Sequence, residues 1–148
     1  MIVDASVGVK WLVPELGRDL ALALLARLDL AAPDLLKLEI GHLLGKLRRR
    51  GEMSPQFIRD AWAEFDELPV QLQPAGHFLD HAFDLSFGLG AAIDDCVYLA
   101  MAEASDDVLV TADERFARTV RQSADRTLAA RIQLIGEFAS WDPNPASP

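Results

Sequence analysis

Two patterns of apolar residues alternate along the chain. Short runs rich in β-branched and aliphatic residues read as strands, and longer stretches with apolar positions every three or four residues read as helices. "MIVD" at residues 1–4 and "VLVTAD" at 108–113 are the clearest β runs, and each ends in an acid. "LAAP" at 30–33, "VQL" at 70–72 and "IQLI" at 132–135 are weaker ones. The helical pattern predicts a segment from Ser6 to Leu28 with an interruption at Pro14, and a long helix over 34–50. It predicts another from Pro55 to about Leu68 behind a Ser54 cap, and further helices over 75–87, 94–104 and 113–124. This alternation is that of an α/β fold, with a central, mostly parallel sheet of about five strands covered by helices. Residues 1–140 make one domain in this reading, and "WDPNPASP" at 141–148 reads as a frayed tail.

The acids depart from this pattern at four places. Asp4 and Asp113 stand at the ends of the two best β runs. Each suits the cap of the helix that follows, and each also stands where open α/β sheets bind ligands, beyond the carboxyl ends of strands. On a helix over 34–50, Leu35, Leu36, Ile40, Leu43, Leu44 and Leu47 gather on one half, with Lys37, Lys46, Arg48 and Arg49 outside it or at its edges. Glu39 projects inside the apolar arc, between Leu35 and Leu36. A carboxylate buried there costs several kcal/mol unless a cation, a proton or strong donors meet it; at the rim of the stripe it reaches water instead. The helix entered at "IDDCVYLAMAEA", 93–104, opens on Asp94 and Asp95. Its N-terminal dipole explains one acid. Asp95 shares the packing face with Tyr98, Leu99 and Ala102, and Asp94 points about 100° away from it.

If Asp4, Glu39, Asp95 and Asp113 converge, repulsion between charges ~4 Å apart is about 4 kcal/mol per pair at an effective dielectric near 20. Such a cluster holds protons or a divalent ion, and oxygen-only ligands suit Mg²⁺ or Mn²⁺.

The net charge of −9 argues against an indiscriminate nucleic-acid coat protein but leaves room for a local basic rim. "KLRRR" at 46–50, and Arg115, Arg118 and Arg121 after Asp113, are the candidates for that rim, Arg115 first among them; each also reads as a solvated helix face. Trp11, Trp62 and Trp141 are able to stack bases but equally to fill a core or an interface. One cysteine, no apolar run of membrane-spanning length and no basic leader lead to the expectation of a cytoplasmic protein without a membrane anchor.

The stretches "MIVDAS", "APDLLKLEIGHLLGKLRRRG" at 32–51, "IDDCVYLAMAEA" at 93–104 and "LVTADERF" at 109–116 together resemble a PIN domain, and within that group a VapC-type toxin ribonuclease of a toxin–antitoxin pair. The resemblance runs from residue 1 to about 138 and implies a three-layer α/β/α sandwich. It implies that Asp4, Glu39, Asp95 and Asp113 are the catalytic and metal-holding acids, with Ser6 and Thr111 as nearby hydroxyls. Asp95 rather than Asp94 takes the third place because it precedes the Tyr-Leu-Ala run by three positions. The family often has an aromatic residue where Asp94 stands, which leaves Asp94 an outer metal-shell or a solvent role. The resemblance further implies Mg²⁺- or Mn²⁺-dependent hydrolysis of single-stranded or structured RNA, a small cognate antitoxin whose tail enters the groove, and a homodimer. Val9, Trp11, Leu12 and Val13 are candidates for the partner surfaces.

Three other readings compete. His77 and His81 in "HFLDH" resemble an inverted zinc-protease pair, but Asp80 stands where that motif has Glu. A receiver-like Mg²⁺-binding signalling domain lacks a phosphoacceptor Asp on the run near 70–72 and gives Glu39 no role. A catalytically silent PIN-like interaction domain has no need of all four acids.

Overall fold

The structure, a computed structural model, describes residues 1–26 and 29–140. In chain order it contains β1 (Ile2–Val3), α1 (Ala5–Leu12), α2 (Arg18–Leu25), β2 (Ala31–Pro33), α3 (Leu35–Arg49), α4 (Pro55–Phe65) and β3 (Gln71–Gln73). A 3₁₀ turn at Ala75–Phe78 leads into α5 (Leu79–Leu89), followed by α6 (Ile93–Ala104), β4 (Leu109–Thr111), α7 (Glu114–Arg121), α8 (Arg126–Ala129), β5 (Ile132–Leu134) and a 3₁₀ stretch at Ile135–Ser140.

The five strands form one sheet in the order β3-β2-β1-β4-β5, and every pairing is parallel. The strands are two or three residues long. Ile2, Val3, Leu109 and Val110 in the middle of the sheet are buried, as parallel strands covered on both faces must be. Edge strand β3 is exposed and carries Gln71 and Gln73, side chains that suit a sheet margin in water.

The strand order fixes the layers. From β1 the chain moves outward through β2 to β3, then crosses back past β1 to β4 and on to β5. Because such crossovers are right-handed, the connections running one way cover one face and those running the other way cover the opposite face. Helices α1–α4 therefore form one layer, with α1 and α3 packed together. Helix α6 crosses the other face against β1, β2 and β4, and α5 packs on α6. The result is the expected three-layer α/β/α sandwich, and its sheet is entirely parallel. Residues Cys96–Ala102 of α6 are all buried, which explains the apolar run that follows Asp95.

The expected segment from Ser6 to Leu28 is two helices. Trp11 and Leu12 end α1, Pro14–Leu16 are exposed, and Gly17 turns the chain with φ 83° before α2; Leu28 lies outside the described residues. Val9, Trp11, Leu12 and Val13 are buried in the core, and the Trp11 indole N–H donates to the carbonyl of Ala21 at 2.8 Å. That packing overturns their reading as a partner surface and settles Trp11 as a core residue. Trp62 is partly exposed on α4, whereas Trp141 and the predicted tail at 141–148 lie outside the described residues. The helix expected over 75–87 starts as the 3₁₀ turn and runs to Leu89, where Gly90 (φ 64°) stops it. The strand near 70–72 is shifted by one residue. Among the described residues no single helix is long and apolar enough to cross a membrane.

Candidate active site

The chain reverses its direction of travel across the sheet between β1 and β4, and the crevice beyond their carboxyl ends is where an open α/β sheet binds ligands. Asp4 leaves β1 there and Asp113 follows β4. Asp4 caps α1: its Oδ1 accepts the N–H groups of Ser6 (3.1 Å) and Val7 (3.2 Å) and the Ser6 hydroxyl (2.6 Å). Asp113 caps α7 through Oδ1, which accepts the Phe116 N–H at 2.9 Å. Both acids also line a cavity of about 510 Å³. Capping and site-lining, alternatives in the sequence, coexist in the structure.

Ser6 and Thr111 tie the two strand ends together. The Ser6 hydroxyl accepts the Ala112 N–H at 2.8 Å and lies 3.2 Å from the hydroxyl of Thr111, which accepts the Asp113 N–H at 3.0 Å. Thr111 is fully buried beneath the acids. Burial raises the Asp4 carboxyl above its ordinary range, an effect partly offset by the Ser6 and Thr111 hydroxyls and the Val7 and Ser6 N–H groups.

Glu39 enters from α3 and Asp95 from the first turn of α6, so the two helix layers contribute one acid each. Glu39 is half-buried and finds the donor its position requires: the buried phenol of Tyr98, one turn beyond Asp95, donates to its Oε2. Burial raises the Glu39 carboxyl, the phenol pulls it down, and the charges of Asp94 and Asp4 push it up. Asp95 makes no capping bond. Its carboxyl is pushed up to about 7 by burial, then by the charges of Asp94, Asp4, Asp113 and Glu39. Asp94 is exposed, is not among the groups lining the cavity, and acts on the site through its charge.

Asp4, Glu39, Asp95 and Asp113 thus line one cavity, and among the described residues none of the four is paired with a cation. Lys10 reaches the same cavity, but its ammonium is held by Glu15 (2.7 Å) and the Leu16 carbonyl (2.9 Å). Among the described residues no three acids or imidazoles are gathered closely enough to hold an ion between them. The chemistry of the donor set nonetheless suits a hard divalent cation: four carboxylates, three of them raised toward protonation, line a cavity whose one ammonium, that of Lys10, is already engaged by Glu15.

Arg115 lines a second recess, of about 170 Å³, which shares Asp95 and Asp113 with the main cavity. Arg118 and Arg121 border a separate depression, where Arg121 pairs with Glu137 at 2.8 Å. The His77 and His81 pair does not form a metal site: His81 Nε2 lies 2.7 Å from Glu103, and both rings are exposed. Four further polar residues line the cavity without being expected from sequence, Lys10, Glu15, Tyr98 and His42, and the last two carry a signal. Their signals are their spacing, Tyr98 three positions after Asp95 and His42 three positions after Glu39 on the same helix faces.

A parallel sheet with acids converging from β1, α3, α6 and the end of β4 defines the class: the PIN domain family matches residues 1–122, and the chain belongs to that family. Among its relatives is Ribonuclease VapC3 of Mycobacterium tuberculosis, in the strains CDC 1551 / Oshkosh and ATCC 25618 / H37Rv. Each is 32% identical over 119 residues, which is 80% of this chain and 85% of the relative.

Proposed function

We propose that this chain is the toxin of a VapC-type toxin–antitoxin pair, a metal-dependent endoribonuclease whose domain spans residues 1–140. The supporting observation is the gathering of Asp4, Glu39, Asp95 and Asp113 around one cavity without a cationic partner. The name of the relative, Ribonuclease VapC3, supports the substrate class. Asp4 and Asp95 would hold Mg²⁺ or Mn²⁺, with Glu39 and Asp113 beside them on the cavity wall. An ion held there would supply acidification of a water and neutralisation of charge on the phosphoryl group.

The chain's own residues do the rest. Ser6 and Thr111 fix the Asp4 carboxylate and the start of α7. Tyr98 orients Glu39, which with Asp113 positions the attacking water and takes its proton. Arg115, beside Asp95 and Asp113, receives a phosphate of the single-stranded RNA. Asp94 has an outer role, raising the negative charge that favours ion capture. Attack by water leaves a 5′-phosphate and a 3′-hydroxyl, whereas attack by a 2′-hydroxyl leaves a cyclic phosphate.

The partner is a small antitoxin whose tail offers a basic group to the acids, and the protein acts in the cytoplasm. It works as a homodimer. Leu79, Phe83 and Phe87 form a row on α5 at four-residue spacing and are 46%, 61% and 86% exposed. This row is the surface for the second copy.

The test is cleavage of single-stranded RNA in Mg²⁺ or Mn²⁺, its loss in EDTA, and its fall by at least about 100-fold in Asp4→Asn and Asp95→Asn. Parental rates in both variants, purified alongside the parent, overturn the assignment.

A further inference from the structure

We propose that His42 delivers the proton to the departing oxygen of the cleaved RNA strand. This rests on the ribonuclease reading above. The cavity is filled with acceptors. Its hydroxyls are already committed, Ser6 to Asp4 and Tyr98 to Glu39, and the Lys10 ammonium is held by Glu15 and the Leu16 carbonyl. Among the described residues His42 is the cavity-lining side chain with N–H capacity and no hydrogen bond or ion pair to another residue. His81, by contrast, is bound to Glu103.

Position supports the same role. His42 follows Glu39 by three residues on α3, so both project on one side of the helix, Glu39 half-buried and His42 exposed at the mouth. Lys46 and Arg49, four and seven residues further on, continue that side of the helix toward solvent, and both are exposed. A strand whose phosphates follow Lys46 and Arg49 into the cavity passes the His42 ring.

The step balances with such a group, which speeds the departure of the alkoxide by protonating it. A water oxygen forms the new bond to phosphorus and the bond to the 3′ oxygen breaks. The water proton goes to a carboxylate, and the departing alkoxide takes a proton from the His42 imidazolium. The carboxylate then returns its proton to solvent and the imidazole regains one. Imidazole is the side chain suited to that exchange near neutral pH. The acids that share the cavity lining with it are Asp4, Glu39, Asp95, Asp113 and Glu15. The cations nearby are Lys10 on the cavity wall and Lys46 on the next turn of α3.

The experiment uses a short single-stranded RNA that the parent cleaves at one mapped linkage, and the same strand with sulfur replacing the 3′ oxygen there. A thiolate leaves without protonation. His42→Ala and His42→Gln are expected to cleave the oxygen strand about 100-fold more slowly, and to cleave the sulfur strand within roughly threefold of the parent rate. Both variants should bind the strand in EDTA as the parent does. Equal cleavage of the oxygen strand by parent and variants overturns the role of His42 while the ribonuclease reading stands. A defect of the same size on both strands also overturns it, because the residue then only places substrate. A parent that cleaves no RNA in Mg²⁺ or Mn²⁺ overturns both.

Discussion

Asp95 is a strained acid, and its strain has a sign. Its carboxyl titrates near 7 in the folded chain against an ordinary value of 3.8, so folding takes up a proton between those values. The stabilising contribution of that proton is fully present below the unfolded value and is lost as pH rises through about 7. Asp4 and Glu39 are shifted in the same direction. The ion-free protein is therefore expected to lose stability from mildly acidic to neutral pH. Asp95→Asn should raise the Tm at pH 8 in EDTA by about 3–6 °C, a figure reduced for the partial exposure of the group. The gain should vanish near pH 4 and shrink when Mg²⁺ or Mn²⁺ is added, and thermal melts across that range check it. The acids themselves are legible in the sequence, because Asp4 and Asp113 end β runs and Glu39 interrupts an apolar arc. Tyr98 is not. Its place in an apolar helix reads as core, and its role depends on Glu39, 59 residues earlier, arriving against its hydroxyl.

At the scale of elements, the site depends on how α3 is seated. Gly8 on α1 faces α3, and a Cβ there would lie 3.2 Å from Leu36 Cδ1 and 3.3 Å from Ile40 Cδ1. Both side chains are fully buried, so they must give by a few tenths of an ångström within the packing that seats α3 and its Glu39. Gly8→Ala is expected to lose about 1–2 kcal/mol, overpacking outweighing the better helix propensity of alanine, with a parallel drop in RNA cleavage. Gly45→Ala on α3 meets only the end of the flexible Arg49 side chain and should gain about 0.5–1 kcal/mol with cleavage unchanged. Urea unfolding curves and cleavage rates for the two variants check the contrast. Helix existence reads well from periodicity, as 34–50 against Leu35–Arg49 shows. The break between α1 and α2 reads less well, because the turn is set by the left-handed Gly17 as well as by Pro14. The strands are the least legible elements: runs of two or three residues carry almost no period, and β2 and β3 are defined by their pairing rather than by their composition.

For the whole molecule, topology and charge work together. The crossing back from β3 to β4 brings residues as far apart in the chain as Asp4 and Asp113 to one crevice, and the sequence could name those acids without giving the strand order that unites them. The same crossing puts α5 on the outside of α6 with its apolar row uncovered. Phe83→Glu adds a charge to an exposed position, so it should leave the Tm within about 2 °C of the parent. It should convert the proposed homodimer to a monomer, as read by light scattering after gel filtration; a variant that remains dimeric moves the interface elsewhere. The composition of the chain also supplies a reporter. Its 148 residues include one tyrosine, and that phenol is the donor to Glu39. Tyrosine labelled with ¹³C at Cζ alone therefore gives a single magnetic resonance signal from the crevice. Titrating an unmutated sample with acid, manganese or RNA should move or broaden that one line, and so report occupancy without any enzymatic assay.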